Sequence, residues 1–389
     1  MLFQTHAFKP AHAVTLLRSG TEYFSRLQQL IDNAQHSIHL QVYIFDLDTT
    51  GNIILAKLKQ AVQRGIMVYL VVDGYASPHF TLAVLASIRK SGISVKQFAP
   101  LHYKSLKIGR RLHHKIVLID DRFALIGGIN IADKYSGYNN TQTWLDVAVE
   151  IQGEACLDVM AICELIWPKR IRKKWKKNVT FPISQKENYQ VCVTQNDWWR
   201  RKIEISKTYR DMIRSSQSEL IILASYFLPG FRKRLLLKKA SERGVNIAII
   251  LGGMSDIPLI KPAMHYLYSV LCVNNISIYE WTQSVLHGKM AISDKQLTTI
   301  GSYNLNALSD YGSLELNVNI ESAEFAQTAS SFLQKIIAEG CVKINPQLYQ
   351  HKPYSVLHAY RFVCFQILRL SLFILFALMR RDRMSRKHI

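Results

Sequence analysis

Residues 113–130 read HHKIVLIDDRFALIGGIN, and residues 287–304 read HGKMAISDKQLTTIGSYN. Both stretches place a histidine, a lysine, an aspartate, a glycine and an asparagine at the same offsets, and 174 positions separate His113 from His287 and Asn130 from Asn304. An internal repeat indicates repeated structural units, and a separation far longer than the roughly 50 residues of a solenoid repeat predicts two duplicated domains.

The residues that follow each lysine predict a β-hairpin. The apolar runs IVLI and MAIS each end at the aspartate of the repeat, and a second apolar run follows after a short turn. Because residues i and i+2 of a strand share a face, His113 and Lys115 should point the same way. The same holds for His287 and Lys289, so each pair is expected to converge on one anion.

Strands and helices alternate around both hairpins. In the first half, SIHLQVYIF (37–45) alternates like a strand, and a helical pattern separates it from the apolar strand MVYLVVDG (67–74). LIILASYF (220–227), a helix over 231–243 and NIAIIL (246–251) repeat this order in the second half. The pattern predicts parallel βαβ units and an α/β fold in each half. The expected domains are a first repeat over 1–165, a basic Trp-rich connector over 166–200, a second repeat over 201–345 and a tail over 346–389.

Composition indicates a polyanionic partner. The chain has 389 residues, a formal net charge of +21 and an apolar content of 49%, so it can bury real cores while it presents a strongly basic surface. Such a charge favours nucleic acid or an anionic membrane surface. The six cysteines lack the spacing of a zinc site or a disulfide framework and are expected to be buried thiols. The N-terminal residues lack a basic segment followed by an apolar core and are not expected to form a secretory signal.

The residue types of the repeat suit phosphoryl chemistry. A histidine can act as nucleophile or as general acid–base, a neighbouring lysine supplies positive charge for phosphoryl oxygens, and an asparagine amide can donate to the same oxygens. The aspartates lie further along the strand and are expected to orient the site or balance its charge. Two histidines suit a two-step displacement that requires no metal or cofactor. The candidate catalytic residues are His113, Lys115, Asp120, His287, Lys289 and Asp294, and Asn130 and Asn304 are candidate substrate-binding residues.

The twin pattern H-x-K-x4-D-x6-G-[GS]-x-N resembles the signature of the phospholipase D superfamily. The resemblance covers the chain from about Leu16 to Cys341, and within the superfamily the sequence is most similar to bacterial cardiolipin synthases of the shorter class, which lack N-terminal membrane spans. The segments that carry it are YIFDLDTTG, VVDGYASP, SYFLPG, LHGKMAISD and GSYNLNALS with LELNV. The resemblance implies duplicated domains, each a mixed β-sheet flanked by helices, related by a pseudo-two-fold axis and sharing one cleft.

The resemblance also implies a covalent phosphatidyl-histidine intermediate, with His113 as the nucleophile and His287 as the acid–base. The residues alone leave these two roles open. Asp146 in WLDVAVE and Glu315 in SLELNV occupy matching positions after each motif, where family members often place an acid that pairs with the histidine of the site. Ordinary charges at a strand edge are the alternative. Gly128 departs from the family pattern, which often has a serine there.

Three further segments indicate contact with lipid. The loop Tyr103–Leu112 mixes apolar and basic residues, which suits a phosphodiester with an apolar body, and the basic run Lys169–Lys177 is flanked by tryptophans. Solvated surface is the alternative for both. The apolar stretch 362–379 carries Arg369 near its middle and a basic flank. It favours a helix that lies in the membrane interface, with a membrane span or a helix packed on the core as alternatives.

These features together predict a phosphatidyltransferase that makes cardiolipin from two phosphatidylglycerols, or from one and another phosphatidyl donor. The expected partners are anionic phospholipids and the cytoplasmic face of the bacterial inner membrane, where the chain is peripheral or anchored by its C-terminal tail. No nucleic acid is expected. The alternatives are a phospholipase D-type hydrolase that releases phosphatidic acid, a nuclease of the same fold and a non-catalytic membrane protein.

Overall fold

The helices and strands follow the predicted alternation in both halves. A computed structural model describes residues 7–100, 110–138, 142–168, 189–272, 274–349 and 355–385. The strands are β1 (Lys9–Arg18), β2 (Ser37–Val42), β3 (Met67–Asp73), β4 (Ser94–Phe98), β5 (Arg111–Leu112), β6 (Ile116–Ile119), β7 (Phe123–Gly127), β8 (Val147–Gly153), β9 (Tyr189–Asp197), β10 (Lys202–Ile203), β11 (Glu219–Ala224), β12 (Asn246–Gly252), β13 (Ser277–Trp281), β14 (Met290–Ser293), β15 (Leu297–Gly301), β16 (Ser313–Glu321) and β17 (Cys341–Lys343). The helices are α1 (Thr21–Asn33), α2 (Thr49–Gln63), α3 (Leu82–Lys90), α4 (Asp133–Ser136), α5 (Ala155–Glu164), α6 (Glu204–Ser215), α7 (Phe231–Glu242), α8 (Ile260–Cys272), α9 (Ala307–Tyr311), α10 (Ala323–Gly340) and α11 (Val356–Ser385).

Strand pairing repeats between the halves. The first half has the order β4-β3-β2-β6-β7-β8, and the second half has the matching order β13-β12-β11-β14-β15-β16. In each half the first three strands are parallel. The first strand of the motif hairpin, β6 or β14, pairs antiparallel with β2 or β11. Strands β1 and β9 pair with β8 and β16 respectively, and their ends pair antiparallel with each other. The predicted fold class, two duplicated α/β domains with mixed sheets, is confirmed.

Each motif strand is buried on both faces. In β6, Ile116 and Leu118 enter a core that both halves share, whereas Val117 and Ile119 enter the core of the first half alone. Met290 of β14 joins the shared core from the other side. This division follows the two-residue period of a strand. Because burial of such a side chain contributes about 1.5–3 kcal/mol, the hairpins provide a rigid base for the histidines that precede them.

The sheet contains a strand that lies within the predicted connector. Residues Tyr189–Asp197 form β9, which pairs with β16 and therefore belongs to the sheet of the second repeat. Strand β1 has the equivalent place in the first repeat. The basic run Lys169–Lys177 and residues 101–109 of the predicted loop Tyr103–Leu112 lie outside the described residues.

Helix α11 follows the second repeat and packs along α8. The ring centroid of Tyr266 lies 5.4 Å from that of Phe362 and 5.1 Å from that of Phe365, and Cys364 is 2% exposed. Part of the tail is therefore packed on the core, one of the alternatives for this segment. Within the described part of the chain, no helix is long and apolar enough to cross a membrane.

The opposite face of α11 is apolar and exposed. Its residues recur at i, i+4 and i+7, the spacing of one helical stripe. We call this set the α11 stripe, and it consists of Val356, Tyr360, Val363, Ile367, Leu370 and Ile374.

Candidate active site

The backbone of the second repeat positions His113. The short strand β5 pairs in parallel with the start of β16, and the His113 N–H donates to the carbonyl oxygen of Leu314 at 3.0 Å. Asp73, at the end of β3, accepts the N–H of Leu112 at 2.8 Å and fixes the other side of this strand. The next residue on β16, Glu315, then places its Oε2 2.8 Å from His113 Nδ1.

His287 is held in the same way by the first repeat. The His287 N–H donates to the carbonyl oxygen of Leu145 at 2.7 Å, and the Leu145 N–H donates to the carbonyl oxygen of Val285 at 2.9 Å. Asp146 follows and places its Oδ2 2.6 Å from His287 Nδ1. The carboxylates therefore cross between the repeats, since each histidine is bound by the acid of the other repeat.

The crossed pairs define the chemistry of both rings. A carboxylate only accepts hydrogen bonds, so Nδ1 of each histidine is the donor, and Nε2 is left for chemistry. Asp146 and Glu315 are both 0% exposed. Burial lowers the pKa of both imidazoles, and it raises the pKa of Asp146 to about 7.

The motif lysines lie beside their own histidines. Lys115 Nζ donates to the carbonyl oxygen of His113 at 2.5 Å, and Lys289 Nζ donates to that of His287. The Tyr43 ring contacts both His113 and Lys115, with centroid distances of 4.8 Å and 5.2 Å, so these two side chains face the same side.

Both lysines carry depressed pKa values. Burial lowers the pKa of Lys115 to about 7 and that of Lys289 to about 8. The charge of Lys289 contributes to the lowered pKa of Lys115, as expected for two ammonium groups that lie near each other. An anionic phosphodiester between them would stabilise both positive charges.

Aromatic rings surround the histidines, and His287 has more of them. The centroids of Tyr135, Trp144 and Tyr226 lie 5.5, 6.0 and 6.2 Å from that of His287. None of these residues belongs to the repeated motif pattern. Tyr43 and Tyr226 each follow a buried parallel strand, β2 or β11, and this position was the available signal because ligands of open α/β sheets gather at the carboxyl ends of strands.

The side-chain carbonyl oxygens of the two motif asparagines accept hydrogen bonds from within the protein. Asn130 Oδ1 accepts the Ile44 N–H at 3.0 Å and its Nδ2 donates to the hydroxyl of Tyr135 at 2.9 Å. Asn304 Oδ1 accepts from Ser225 Oγ at 2.8 Å. These contacts support the segments that follow β2 and β11.

The structure does not bring Asp120 and Asp294 to the histidines. Both lie in the turn of their hairpin with positive φ, 52° and 50°, which is the geometry of tight hairpin turns. Asp120 accepts the N–H groups of residues 35–37 at 2.7–2.8 Å, and Asp294 accepts those of residues 217–219 at 2.8–3.2 Å. Their carboxylates thus tie each hairpin to the start of the neighbouring parallel strand, at the far end from the site.

The residue beside each carboxylate differs between the repeats. Ser302 Oγ donates to Glu315 Oε2 at 2.5 Å, and Ser309 Oγ donates to Oε1 at 2.7 Å. Gly128 has the place of Ser302 in the first repeat, and a Cβ atom there would overlap both carboxylate oxygens of Asp146. The departure of Gly128 from the family pattern therefore makes room for the shorter acid.

Within the described residues, no three His, Cys, Asp or Glu side chains are grouped as ligands for a metal ion. The site that the structure assembles contains two imidazoles, two carboxylates and two buried ammonium groups.

Comparisons with known proteins identify relatives over most of the chain. A family model described as the phospholipase D-like domain of cardiolipin synthase matches residues 27–159 and 209–337, one segment around each motif. Cardiolipin synthase B of Salmonella typhi is 30% identical over 347 residues, which cover 88% of this chain and 84% of that protein. Cardiolipin synthase B of Escherichia coli strain K12 is 30% identical over 345 residues, covering 87% and 84%.

Solved structures share the fold. Phosphatidylserine synthase of Haemophilus influenzae superposes with a TM-score of 0.72 at 15% identity and covers 98% of this chain and 97% of its own. Polyphosphate kinase of Porphyromonas gingivalis superposes with a TM-score of 0.59 at 16% identity and covers 94% and 54%.

Proposed function

Because the chain belongs to the cardiolipin synthase family with phospholipase D-like domains, and is thus a phosphatidyltransferase, we propose that it joins two phosphatidylglycerols into cardiolipin and releases glycerol. The observation that supports this most directly is the crossed arrangement of two histidine–carboxylate pairs around two buried lysines. It provides a nucleophile, an acid–base and charge stabilisation for one phosphodiester.

In the first step, His113 is the nucleophile. Glu315 accepts a hydrogen bond from Nδ1–H of His113, which leaves the lone pair of Nε2 free to attack the phosphorus of phosphatidylglycerol. The phosphorus–oxygen bond to the glycerol headgroup breaks while His287, which enters this step protonated at Nε2 as well as at Nδ1 because the bound phosphodiester anion favours the charged ring, gives its Nε2 proton to the leaving oxygen. Lys115 and Lys289 stabilise the negative charge on the phosphoryl oxygens. The products are free glycerol and a phosphatidyl group on His113.

In the second step, His287 acts as the base. It takes the proton from the headgroup hydroxyl of a second phosphatidylglycerol, and the oxygen attacks the phosphorus. The phosphorus–nitrogen bond to His113 breaks, which restores the free imidazole and yields cardiolipin. Because the pKa of Asp146 lies at about 7, the Asp146–His287 pair can take up and release a proton near neutral pH.

Transfer to a lipid alcohol requires that water be a poor competitor. Water is present at about 55 M, whereas a positioned acceptor can reach an effective molarity of about 10⁵ M or more. The aromatic rings of Tyr43, Trp144 and Tyr226 restrict the space beside the histidines. They favour an acceptor that enters from the lipid side.

We place the enzyme at the surface of an anionic membrane. The α11 stripe offers apolar side chains to the interface, and the net charge of +21 attracts anionic lipid. This pair of signals is what stable interfacial binding needs. We expect the enzyme to lie on the cytoplasmic face of the inner membrane.

The test is incubation of the purified full chain with vesicles of phosphatidylglycerol, followed by separation of the lipids. We expect cardiolipin as the main product, with phosphatidic acid as a minor one and free glycerol equal to the sum of the two, and added glycerol should drive the reaction backward. The variant H113N under the same conditions is the control. A majority of phosphatidic acid would establish the hydrolase instead, and cleavage of DNA or RNA without any lipid product would establish a nuclease.

A further inference from the structure

The rims of the two halves of the site differ at matched positions. Ser77 and Asp256 each lie four residues past the end of a parallel strand, β3 or β12. Ser77 is 0% exposed, and its Oγ donates to the Tyr43 carbonyl oxygen and accepts the Phe45 N–H, both at 3.0 Å. Asp256 is exposed, and its Oδ1 accepts the hydroxyl of Tyr226 at 2.6 Å. In the first repeat, the side chain at this position is therefore buried and bound to the backbone. In the second repeat, the same position has an exposed carboxylate.

This carboxylate lies next to the acid–base histidine. The ring of Tyr226 stands edge-on to His287 with 6.2 Å between centroids, so the Tyr226 side chain connects Asp256 to His287. Electrostatics agree with this proximity. Burial, followed by the charges of Lys289, Lys115 and His113, lowers the pKa of His287, and the charge of Asp256 opposes that shift.

The apolar residues on either side of Asp256 are exposed. Met254 and Ile257 flank it and are 41% and 42% exposed, although both are apolar. An exposed acid would repel the phosphate of an anionic lipid. It is favourable at this place only if it accepts hydrogen bonds from a donor group of the substrate, which the hydroxyls of a glycerol headgroup provide.

We propose that Asp256, held by Tyr226, is the specificity-determining residue that binds the alcohol headgroup whose reacting oxygen exchanges its proton with His287. The carboxylate accepts a hydrogen bond from a hydroxyl of the glycerol group that does not react. It serves the leaving glycerol in the first step and the acceptor headgroup in the second, since both occupy the His287 side. This assignment rests on the proposed transferase function.

The experiment measures the choice between two free alcohols. The full chain is incubated with phosphatidylglycerol vesicles and equal concentrations of labelled glycerol and labelled 1-propanol, which lacks the additional hydroxyls. The measured quantity is the ratio of labelled phosphatidylglycerol to phosphatidylpropanol. We expect the wild-type chain to favour glycerol by at least about tenfold, because a hydrogen bond to a charged group is a strong one.

The variant D256N should lower that ratio about tenfold, and Y226F, which only loosens the carboxylate, should lower it less. The matched control is D32N, because Asp32 is an exposed acid paired with Lys57 on the outer surface of the first repeat. It should keep the wild-type ratio. Thermal unfolding of each variant verifies folding, and if D256N does not fold, Y226F carries the test.

The outcomes separate the two claims. If folded D256N and Y226F both keep the wild-type ratio, Asp256 does not select the headgroup, while the transferase function stands. If the wild-type chain transfers the phosphatidyl group to neither alcohol nor to a second lipid, the transferase function fails and this assignment fails with it.

Discussion

The pairs His113–Glu315 and His287–Asp146 have the same connectivity but not the same chemistry. In both, a histidine donates Nδ1–H to a fully buried acid from the other repeat. Glu315 also accepts from two serine hydroxyls, which stabilise its negative charge, whereas Asp146 accepts one further hydrogen bond, from the Val147 N–H at 2.7 Å.

Under the proposed mechanism, this difference suits the two half-sites to separate roles. Glu315 is held beside His113 by two serine hydroxyls, which suits a nucleophile that must keep one tautomer. Asp146, with a pKa raised by burial to about 7, suits a partner that exchanges protons at neutral pH. The residues at positions 128 and 302 thus help to determine which histidine acts as the nucleophile and which as the acid–base.

The test with the largest expected effect removes the imidazole ring of each histidine in turn. H113N and H287N should each reduce turnover of phosphatidylglycerol by about 10⁴-fold or more, because each removes a group that its step requires. H287N should still accumulate phosphatidyl-enzyme slowly, since only the proton donor and acceptor is lost, and H113N should accumulate none. Intact-protein mass spectrometry after quenching measures the adduct. An adduct on H113N would reverse the assignment of the two histidines.

A second test exchanges the neighbours of the carboxylates. G128S should reduce activity about 10²-fold, since the new Cβ displaces Asp146 from His287 and a misplacement of about 1 Å can have that effect. S302G removes one donor to Glu315 without a clash, so its loss should be tenfold or less. The double variant G128S/D146E copies the pairing of the second repeat and should recover at least tenfold over G128S. Equal losses in G128S and S302G would show that the clash is irrelevant.

The two lysines allow a test by pH. A lysine is cationic below its pKa, and burial lowers these values to about 7 for Lys115 and about 8 for Lys289. As pH rises through these values the charges that bind phosphate are lost one after the other, so kcat/KM should fall about tenfold per unit between pH 7 and pH 8 and about 100-fold per unit above pH 8. In K289M the decline should begin above pH 7, because the Lys289 charge that lowers the pKa of Lys115 is gone, and in K115M it should begin near pH 8. A profile that stays flat up to pH 9 would contradict the depressed values.

The smallest expected effect concerns helix α11. Serine at Val363, Ile367 and Leu370 should reduce binding to anionic vesicles severalfold, because these exposed side chains lose their apolar contact with the interface. Sedimentation with vesicles measures the bound fraction. The matched control replaces Leu157 and Leu165, which are 41% and 44% exposed in the first repeat. If both sets of substitutions change binding equally, the α11 stripe has no special role.

Much of the fold follows from the sequence because the repeat is explicit. The hairpins appear where the apolar runs predict them, and the alternation of strands and helices gives the parallel order of β2, β3, β11 and β12. Strands β1 and β9 are harder to predict, since their pairing partners are distant in sequence. A polar stretch such as TQND at the end of β9 looks like a loop until β16 is placed beside it.

Local sequence could not predict the crossing of the carboxylates. Asp146 and Glu315 each follow a motif of their own repeat, and either histidine is equally compatible with either acid. Which acid pairs with which histidine depends on the hydrogen bonds from His113 to Leu314 and from His287 to Leu145, which are long-range contacts between repeats. The same limit applies to Asp120 and Asp294, whose role at the turn depends on backbone N–H groups more than 70 positions away.

The close fit between Gly128 and Asp146 constrains how this protein can evolve. A serine at 128 is harmful while Asp146 is present, and a glutamate at 146 lacks its hydroxyl partner while Gly128 is present. Each single change therefore has a fitness cost that the second change relieves, which is reciprocal epistasis. Descendants should carry glycine with aspartate or serine with glutamate, and lineages with mixed pairs should be rare and short-lived.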